Sequence, residues 1–263
     1  MLKYILIALF LLSPETTWSQ TEVDSSKILR ILTLNILHGA TTNGDFDLDV
    51  IAKVIIDAKP DLVALQEVDF KTNRAKKYDL VTELGWRAKL QGLFGRAMPY
   101  DGGEYGEGVL SAHTLLSSAN HALPHSPENE PRAALEITTR IASGDTIVFI
   151  GTHLDHVKDE TDRKAQAEAI NTIFANSQHP MILAGDLNDV PGSATINTFE
   201  SMWTAAFRGA KTAFTYSSDQ PEKKIDYVMY YPRERWRVLE RRAICDPVAS
   251  DHCGYLVVLE LLD

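Results

Sequence analysis

Asp186 and Asn188 leave the end of an apolar run, Met181-Ile182-Leu183-Ala184, that closes on Gly185. On extended chain a spacing of two turns both side chains to one face. A carboxylate and an amide carried off one side of a core strand can orient a water molecule and hold anionic oxygens. The bland alternative is a turn, because Asp and Asn bond readily to their own backbone. That alternative weakens because the pattern recurs along the chain. Asn35 lies near the end of the apolar stretch 28–36, Glu67 near the end of 61–68 and His153 near the end of 146–154. Asp226 sits in the stretch 224–231, Arg132 opens 132–141, and Asp251 and His252 precede the last apolar run. Carboxylates, amides, two histidines and an arginine are what metal-assisted phosphoester hydrolysis requires. Their oxygens suit a hard cation such as Mg²⁺ or Mn²⁺, and no thiolate or histidine cluster calls for zinc. A divalent cation neutralises phosphate charge, while histidine beside a carboxylate moves a proton near neutral pH.

The elements that must position these groups follow from periodicity. Residues 28–36 (ILRILTLNI) hold branched apolar side chains and no turn former, which predicts a core strand. Residues 47–59 repeat apolar side chains at Leu48, Ile51, Ile55 and Ala58 and stop before Pro60, the mark of a helix. Strand 61–68 comes next, so the two strands are parallel if they share a sheet, and Asn35 and Glu67 reach one rim. A helix is expected over 73–84, ended by Gly85, then a glycine-dense loop over 99–108 and a strand over 109–117. No regular structure is expected over 121–131. Strands 132–141 and 146–154 are joined by a Ser143-Gly144-Asp145 turn. A long helix over 161–176 leads to the strand ending at Asp186, and a short helix around 194–199 follows. Strands at 224–231, 236–244 and 255–261 complete the expected pattern, with no repeat or linker after residue 27.

These blocks carry a resemblance. TLNILHG (33–39), LQEV (65–68), YGEGVLS (105–111), EPRAAL (130–135), THLDH (152–156), AGDLND (184–189), KIDYVMY (224–230) and SDH (250–252) stand in the order and spacing of the endonuclease/exonuclease/phosphatase superfamily. That superfamily includes pancreatic-type DNases, apurinic endonucleases, sphingomyelinases and inositol polyphosphate phosphatases. The resemblance implies a four-layer α/β sandwich, two mostly antiparallel β-sheets with helices outside, and an active site at one end. It implies Asn35 and Glu67 as metal ligands, with Asp251 as a further ligand to Mg²⁺ or Mn²⁺. His252 would be the general base, oriented by Asp226, and Asp186 would position or help activate the attacking water. Asn188 and His153 would bind the non-bridging oxygens, and Arg132 and Tyr105 would make supporting phosphate contacts. Asp155, His156, Asp189 and His38 stand beside these motifs as turn residues or supports. Glu107 departs from the pattern, since many relatives have Asn or a small residue there. A carboxylate in that place would repel phosphate unless paired with Arg or the metal.

Composition narrows the rest. A chain of 263 residues, 44% hydrophobic, is ample for a packed core. Its net charge of −10 and pI near 5.3 argue against broad polyanion binding. Lys3, an apolar run from Tyr4 to Leu12, a Ser13-Pro14 break and the small residues Thr17 and Ser19 form a secretory signal peptide over 1–19. An exported single domain over 20–263 is therefore expected, periplasmic or secreted, monomeric and without stable membrane insertion; a retained anchor is the alternative. Cys245 and Cys253, the two cysteines, are either bridged around Asp251 and His252 or two free thiols. The substrate expected is a modest phosphodiester or phosphomonoester. Nucleic acid is allowed but not favoured, because no aromatic-basic stripe would track a strand. A sphingomyelinase-like lipase would want an exposed apolar hairpin, and a non-catalytic binding protein would have lost the Asp-x-Asn or Asp-His pair.

Overall fold

The computed structural model describes residues 24–207 and 214–263, so the expected signal at 1–19 lies outside the described residues. Strand β1 spans Ile28–Asn35. Asp47 then caps helix α1, Leu48–Ala58, by accepting from the amides of Asp49 and Val50. Strand β2 is Leu62–Phe70, helix α2 is Leu80–Ala88, and strands β3, Gln91–Tyr100, and β4, Gly103–Ser111, form a hairpin. The next strands are β5, Thr114–Ala122, β6, Ala133–Arg140, and β7, Thr146–His153. Helix α3, Thr161–Phe174, leads to β8, Met181–Asp186, and helix α4, Ala194–Glu200, to the two-residue β9, Thr204–Ala205. Strands β10, Asp226–Tyr231, β11, Trp236–Ile244, and β12, Gly254–Leu261, follow.

Two six-stranded sheets result, ordered β11-β12-β1-β2-β4-β3 and β5-β6-β7-β8-β10-β9. Each holds one parallel pair joined through a helix: β1 with β2 across α1, and β7 with β8 across α3. Their other pairings are antiparallel. Between the sheets, Leu29, Ile31, Ala64 and Val109 of the first meet Phe149, Ile182, Ala184 and Val228 of the second. On the outer faces, Leu32, Leu34, Val63 and Leu65 pack on α1 and α2, while Val148, Leu183 and Met229 pack on α3 and α4. The expected four-layer sandwich is present, helices outside and sheets face to face.

Three local expectations need correction. The second helix begins at Leu80, not residue 73, because Asp79 caps it by accepting from the Thr82 amide. Gly85 lies inside that helix and Lys89 ends it, in the left-handed conformation. The glycine-dense loop is the β3–β4 hairpin, turned by Asp101 and Gly102 with φ of 44° and 71°. Asp-Gly between alternating segments is the tight-hairpin signal, legible in the sequence but masked by the surrounding glycines. The strand expected over 109–117 is two strands in different sheets, broken at Ala112-His113.

Cys245 and Cys253 are joined. The bridge closes the loop between β11 and β12 that carries Asp251 and His252. Replacing both cysteines by serine should cost about 2–3 kcal/mol by loop-closure entropy, measured as a shift in denaturant midpoint between oxidised parent and variant.

Candidate active site

The interior rows of the sandwich turn polar at one end. On β1 the inward series Leu29 and Ile31 continues to Thr33 and Asn35; on β8, Ile182 and Ala184 continue to Asp186. On β10 the row through Tyr230 and Val228 ends at Asp226, and on β7 the row through Ile147 and Phe149 ends at His153. On β4 Val109 is followed inward by Glu107 and Tyr105. Period-two alternation therefore delivers most of the site.

Strand β2 needs a different device. Val63 and Leu65 face the helices, so strict alternation would send Glu67 out with them. Instead the pairing of β2 with β4 slips between Leu65 and Val68, and Glu67 adopts φ 56°. Val68 takes the helix-facing place, and Glu67 turns to receive the Asn35 Nδ2 at 3.1 Å. A bulge that re-aims one side chain in a sparsely populated conformation is a recurrent feature of functional sites.

Asp186 is central. Its Oδ1 accepts the Asn188 amide at 2.9 Å, so the turn and the site are one structure. Its Oδ2 lies 3.4 Å from Asn35 Nδ2 and 3.6 Å from Nε2 of both His153 and His252. Burial and the nearby Asp226 charge push the Asp186 carboxyl up to about 7, against the pull of His252. His252 Nδ1 faces both Asp226 oxygens, at 3.2 and 3.1 Å. Burial disfavours the imidazolium, but the Asp226 and Asp186 carboxylates outweigh it and raise His252 to about 10.

His153 is the contrasting histidine. Burial first, and the Arg132 charge second, hold it well below the usual histidine range, so it is neutral. Arg132 Nη1 approaches its Nδ1 at 3.1 Å and Asn188 Nδ2 its Nε2 at 3.0 Å. A neutral imidazole accepts at one nitrogen only, so one of these two donors is left for another acceptor. Arg132 is also held by Glu130, at 3.0 Å, and by His156 Nδ1, at 3.2 Å.

Glu67, Asn35 and Asp251 form an all-oxygen donor set. Burial opposes ionisation of Glu67, but hydrogen bonds from His38 and Asn35 prevail and leave it at about 2. Asp251 is raised by burial and by the charge of Glu67. Two carboxylates in mutual repulsion suit a hard divalent cation. The Asn35 amide oxygen accepts from Leu37 N at 3.1 Å, so half a turn of that amide would be needed to offer it beside Glu67. Asp186, Asp226 and His252 also bring ligand atoms within 4.8 Å of one another. There, however, Nδ1 is committed to Asp226, and the trio is better suited to moving protons.

A cavity of ≈ 570 Å³ opens over these groups, with Glu67, Tyr105, Arg132, His153, Asp186, Asn188, Asp251 and His252 in its wall. Asn35 and Asp226 lie beneath it, 1% and 0% exposed. Glu107 is fully buried with both carboxyl oxygens unpartnered, and burial pushes its carboxyl well above the usual range. Burial thus disfavours the anion that would repel phosphate unless paired with Arg or the metal. Of the flanking residues, His38 sits 3.5 Å from Glu67, His156 supports Arg132, and Asp189 pairs with Arg163 at 3.5 Å. Asp155 is buried with its carboxyl unpartnered. Sequence reasoning missed Tyr216, whose ring lies 4.9 Å from that of His252. It also missed Lys224, fully buried, bonded to the Asp226 carbonyl and 3.1 Å from the centre of the Tyr255 ring. Burial lowers that amine to about 7. A lysine two residues before Asp226, at the head of the stretch 224–231, was the available signal.

A family model for the endonuclease/exonuclease/phosphatase family matches residues 32–252. Among solved structures, an endonuclease/exonuclease/phosphatase from Beutenbergia cavernae is 24% identical, TM-score 0.73, over 89% of this chain and 72% of that one. The human nocturnin catalytic domain with bound sulfate is 19% identical, TM-score 0.69, over 91% and 96%. A mannosyl-6-phosphatase from Bacteroides thetaiotaomicron is 18% identical, TM-score 0.66, over 89% and 100%. At these identities the likeness is one of fold.

Proposed function

The chain belongs to the endonuclease/exonuclease/phosphatase family, and from that premise we propose that it is an exported, monomeric Mg²⁺- or Mn²⁺-dependent hydrolase of small phosphoesters. One observation carries the reading: the Asp226–His252–Asp186 chain and the Asn188–His153–Arg132 donors converge on one cavity beside the Glu67 and Asp251 carboxylates. In this mechanism Asp186 holds the attacking water and His252, oriented by Asp226, takes its proton. Asn188, Arg132 and Tyr105 donate to the non-bridging oxygens, where charge builds in the transition state. Neutral His153 accepts from one of the two donors beside it and leaves the other for the phosphate. Bound at Glu67, Asn35 and Asp251, a divalent cation would supply positive charge toward the phosphate and the leaving oxygen. Attack proceeds in line, opposite the departing alkoxide. The acidic chain and the phosphatase among its structural neighbours favour a small ester over nucleic acid.

The test uses residues 20–263 and an Asp186→Asn control on a chromogenic phosphodiester, the matching monoester, plasmid DNA and a choline phospholipid. Each is assayed with Mg²⁺, Mn²⁺ or EDTA. Metal-dependent turnover of a small ester, lost in the control, is expected. Preference for plasmid or lipid would move the substrate class to nuclease or lipase, and metal binding without any turnover would overturn the hydrolase reading.

Asp226→Asn should move the acid limb of the kcat/KM profile to lower pH. The Asp226 carboxylate stabilises the imidazolium, so removing its charge lowers the pKa of His252 and the base form appears earlier. A shift of about 1 unit or more is expected for loss of a carboxylate in direct contact, together with a lower plateau. A profile over pH 5–11, which brackets the raised His252 value of about 10, with an unmoved acid limb would take Asp226 out of this role.

A further inference from the structure

Arg74 lines the same cavity and has no part in the hydrolysis described above. It is firmly held. Nε donates to Asp69 Oδ2 at 2.7 Å and Nη2 to Asp69 Oδ1 at 2.9 Å. Asp69 is fully buried and takes the Thr72 hydroxyl at 2.6 Å. The Arg74 amide donates to Asp101 at 2.7 Å. The guanidinium carbon stands 4.5 Å from the centre of the Tyr100 ring and 5.8 Å from that of Tyr105. Backbone, edge and face are each tied, so the plane of the group is set before any ligand arrives.

This arrangement leaves donors over. A guanidinium has five N–H groups in a rigid fork, and the side-on pair with Asp69 takes one from Nε and one from Nη2. Nη1 makes no hydrogen bond among the described residues, and the side chain is 31% exposed where it lines the cavity. Tyr105, beside the Arg74 guanidinium, lines the cavity together with Arg74 and Arg132. Lys223 adds a further cation to the wall of the same cavity. A residue needed only to neutralise Asp69 would require neither the aromatic clamp nor an open fork.

We infer that Arg74 is a specificity residue whose free Nη edge holds a second anionic group, phosphate or carboxylate, on the leaving group of a small phosphoester. The assignment of the first phosphate rests on the hydrolase reading; the second anion rests on Arg74 alone. The substrate class is then a compact, doubly anionic ester, with one anionic group beyond the scissile phosphate, rather than the phosphate of a neutral sugar.

The experiment compares glucose 6-phosphate, fructose 1,6-bisphosphate and 6-phosphogluconate on the Mn²⁺-loaded protein, residues 20–263. The parent and two variants, Arg74→Gln and Arg74→Lys, are assayed. Arg74→Gln strands the buried Asp69, so Arg74→Lys, which keeps that charge paired but has no fork, serves as the folded variant, checked by thermal melt. The parent should favour a doubly anionic ester by about tenfold or more, the size of one charge-assisted hydrogen bond. Arg74→Lys should lose that preference through KM rather than kcat. Preference for the bisphosphate identifies a phosphate subsite, and preference for the acid a carboxylate subsite. Equal losses on all three esters, or no advantage of a second anion in the parent, would overturn the inference. Titration of the same three compounds into Asp186→Asn, with and without Arg74→Lys, reads the subsite by binding alone. Absent turnover with a preference that Arg74→Lys abolishes would refute the hydrolase and keep the subsite; equal binding would refute the subsite.

Discussion

Asp186→Asn is expected to remove about 10²–10⁴-fold of turnover and, in the same molecule, to raise the melting temperature of the metal-free protein above pH 7. The amide has the shape of the carboxyl and can still accept from the Asn188 backbone, so the turn survives. What disappears is a buried negative charge beside Asp226. The free carboxyl titrates near 3.9 when unfolded, and burial with the Asp226 charge lifts it to about 7 in the fold. Between those values the folded state binds more protons than the unfolded chain, so stability falls as pH rises, opposite to the usual salt-bridged carboxylate. His252 adds to the same slope. Its raised pKa gives stability that is whole below about 6.5 and is lost as pH climbs toward 10. At pH 4 the acid and the amide are both neutral, and parent and variant should melt together. At pH 8 in EDTA the variant should melt several degrees higher, since about 1 kcal/mol moves Tm by about 2–4 °C in a protein of this size. Activity within tenfold of the parent, or a lower melting temperature at pH 8, would remove Asp186 from the centre of the site.

Gly185→Ala should damage fold and chemistry together. A Cβ at Gly185 would lie 2.0 Å from the Thr152 carbonyl oxygen and 2.9 Å from its carbon. Neither is the end of a flexible side chain that could swing away. Thr152 is itself pinned, its hydroxyl donating to the Ala133 carbonyl at 2.9 Å. Thr152 pairs with Gly185 one step before His153 pairs with Asp186, so parting β7 from β8 there separates the two site residues directly. A stability loss of about 3 kcal/mol is expected, at the upper end for overpacking. A residual activity about 10²-fold down is expected for a displacement of about 1 Å at the reacting groups. Denaturant midpoint and kcat/KM per folded molecule measure the two effects separately. A variant as stable and active as the parent would show that β7 and β8 can part at Thr152 without moving Asp186.

Where the polar groups leave the core is legible from local pattern. Branched apolar runs can only be strands buried on both faces, and a helix between two of them makes the pair parallel; Asn35 and Asp186 then reach one end by alternation alone. The blocks from 33–39 to 250–252 were equally plain, because each depends on neighbours in the chain. The helix start at Leu80 was misjudged because the apolar step through Tyr78, Val81 and Leu84 continues back beyond the cap at Asp79. What depends on groups far apart in the chain is set by the assembled fold. Glu67 points at the site because a bulge against β4 reverses its parity, and period-two reasoning alone sends it to the helices. Burial disfavours the charged forms of Glu107 and His153 because each is closed over by the facing sheet, a desolvation with no signature in local sequence. Arg74 enters the cavity because Asp69 of β2 and Tyr100 of β3 hold it there. Periodicity is a property of the chain, whereas charge state and aim are set by whatever the fold brings alongside.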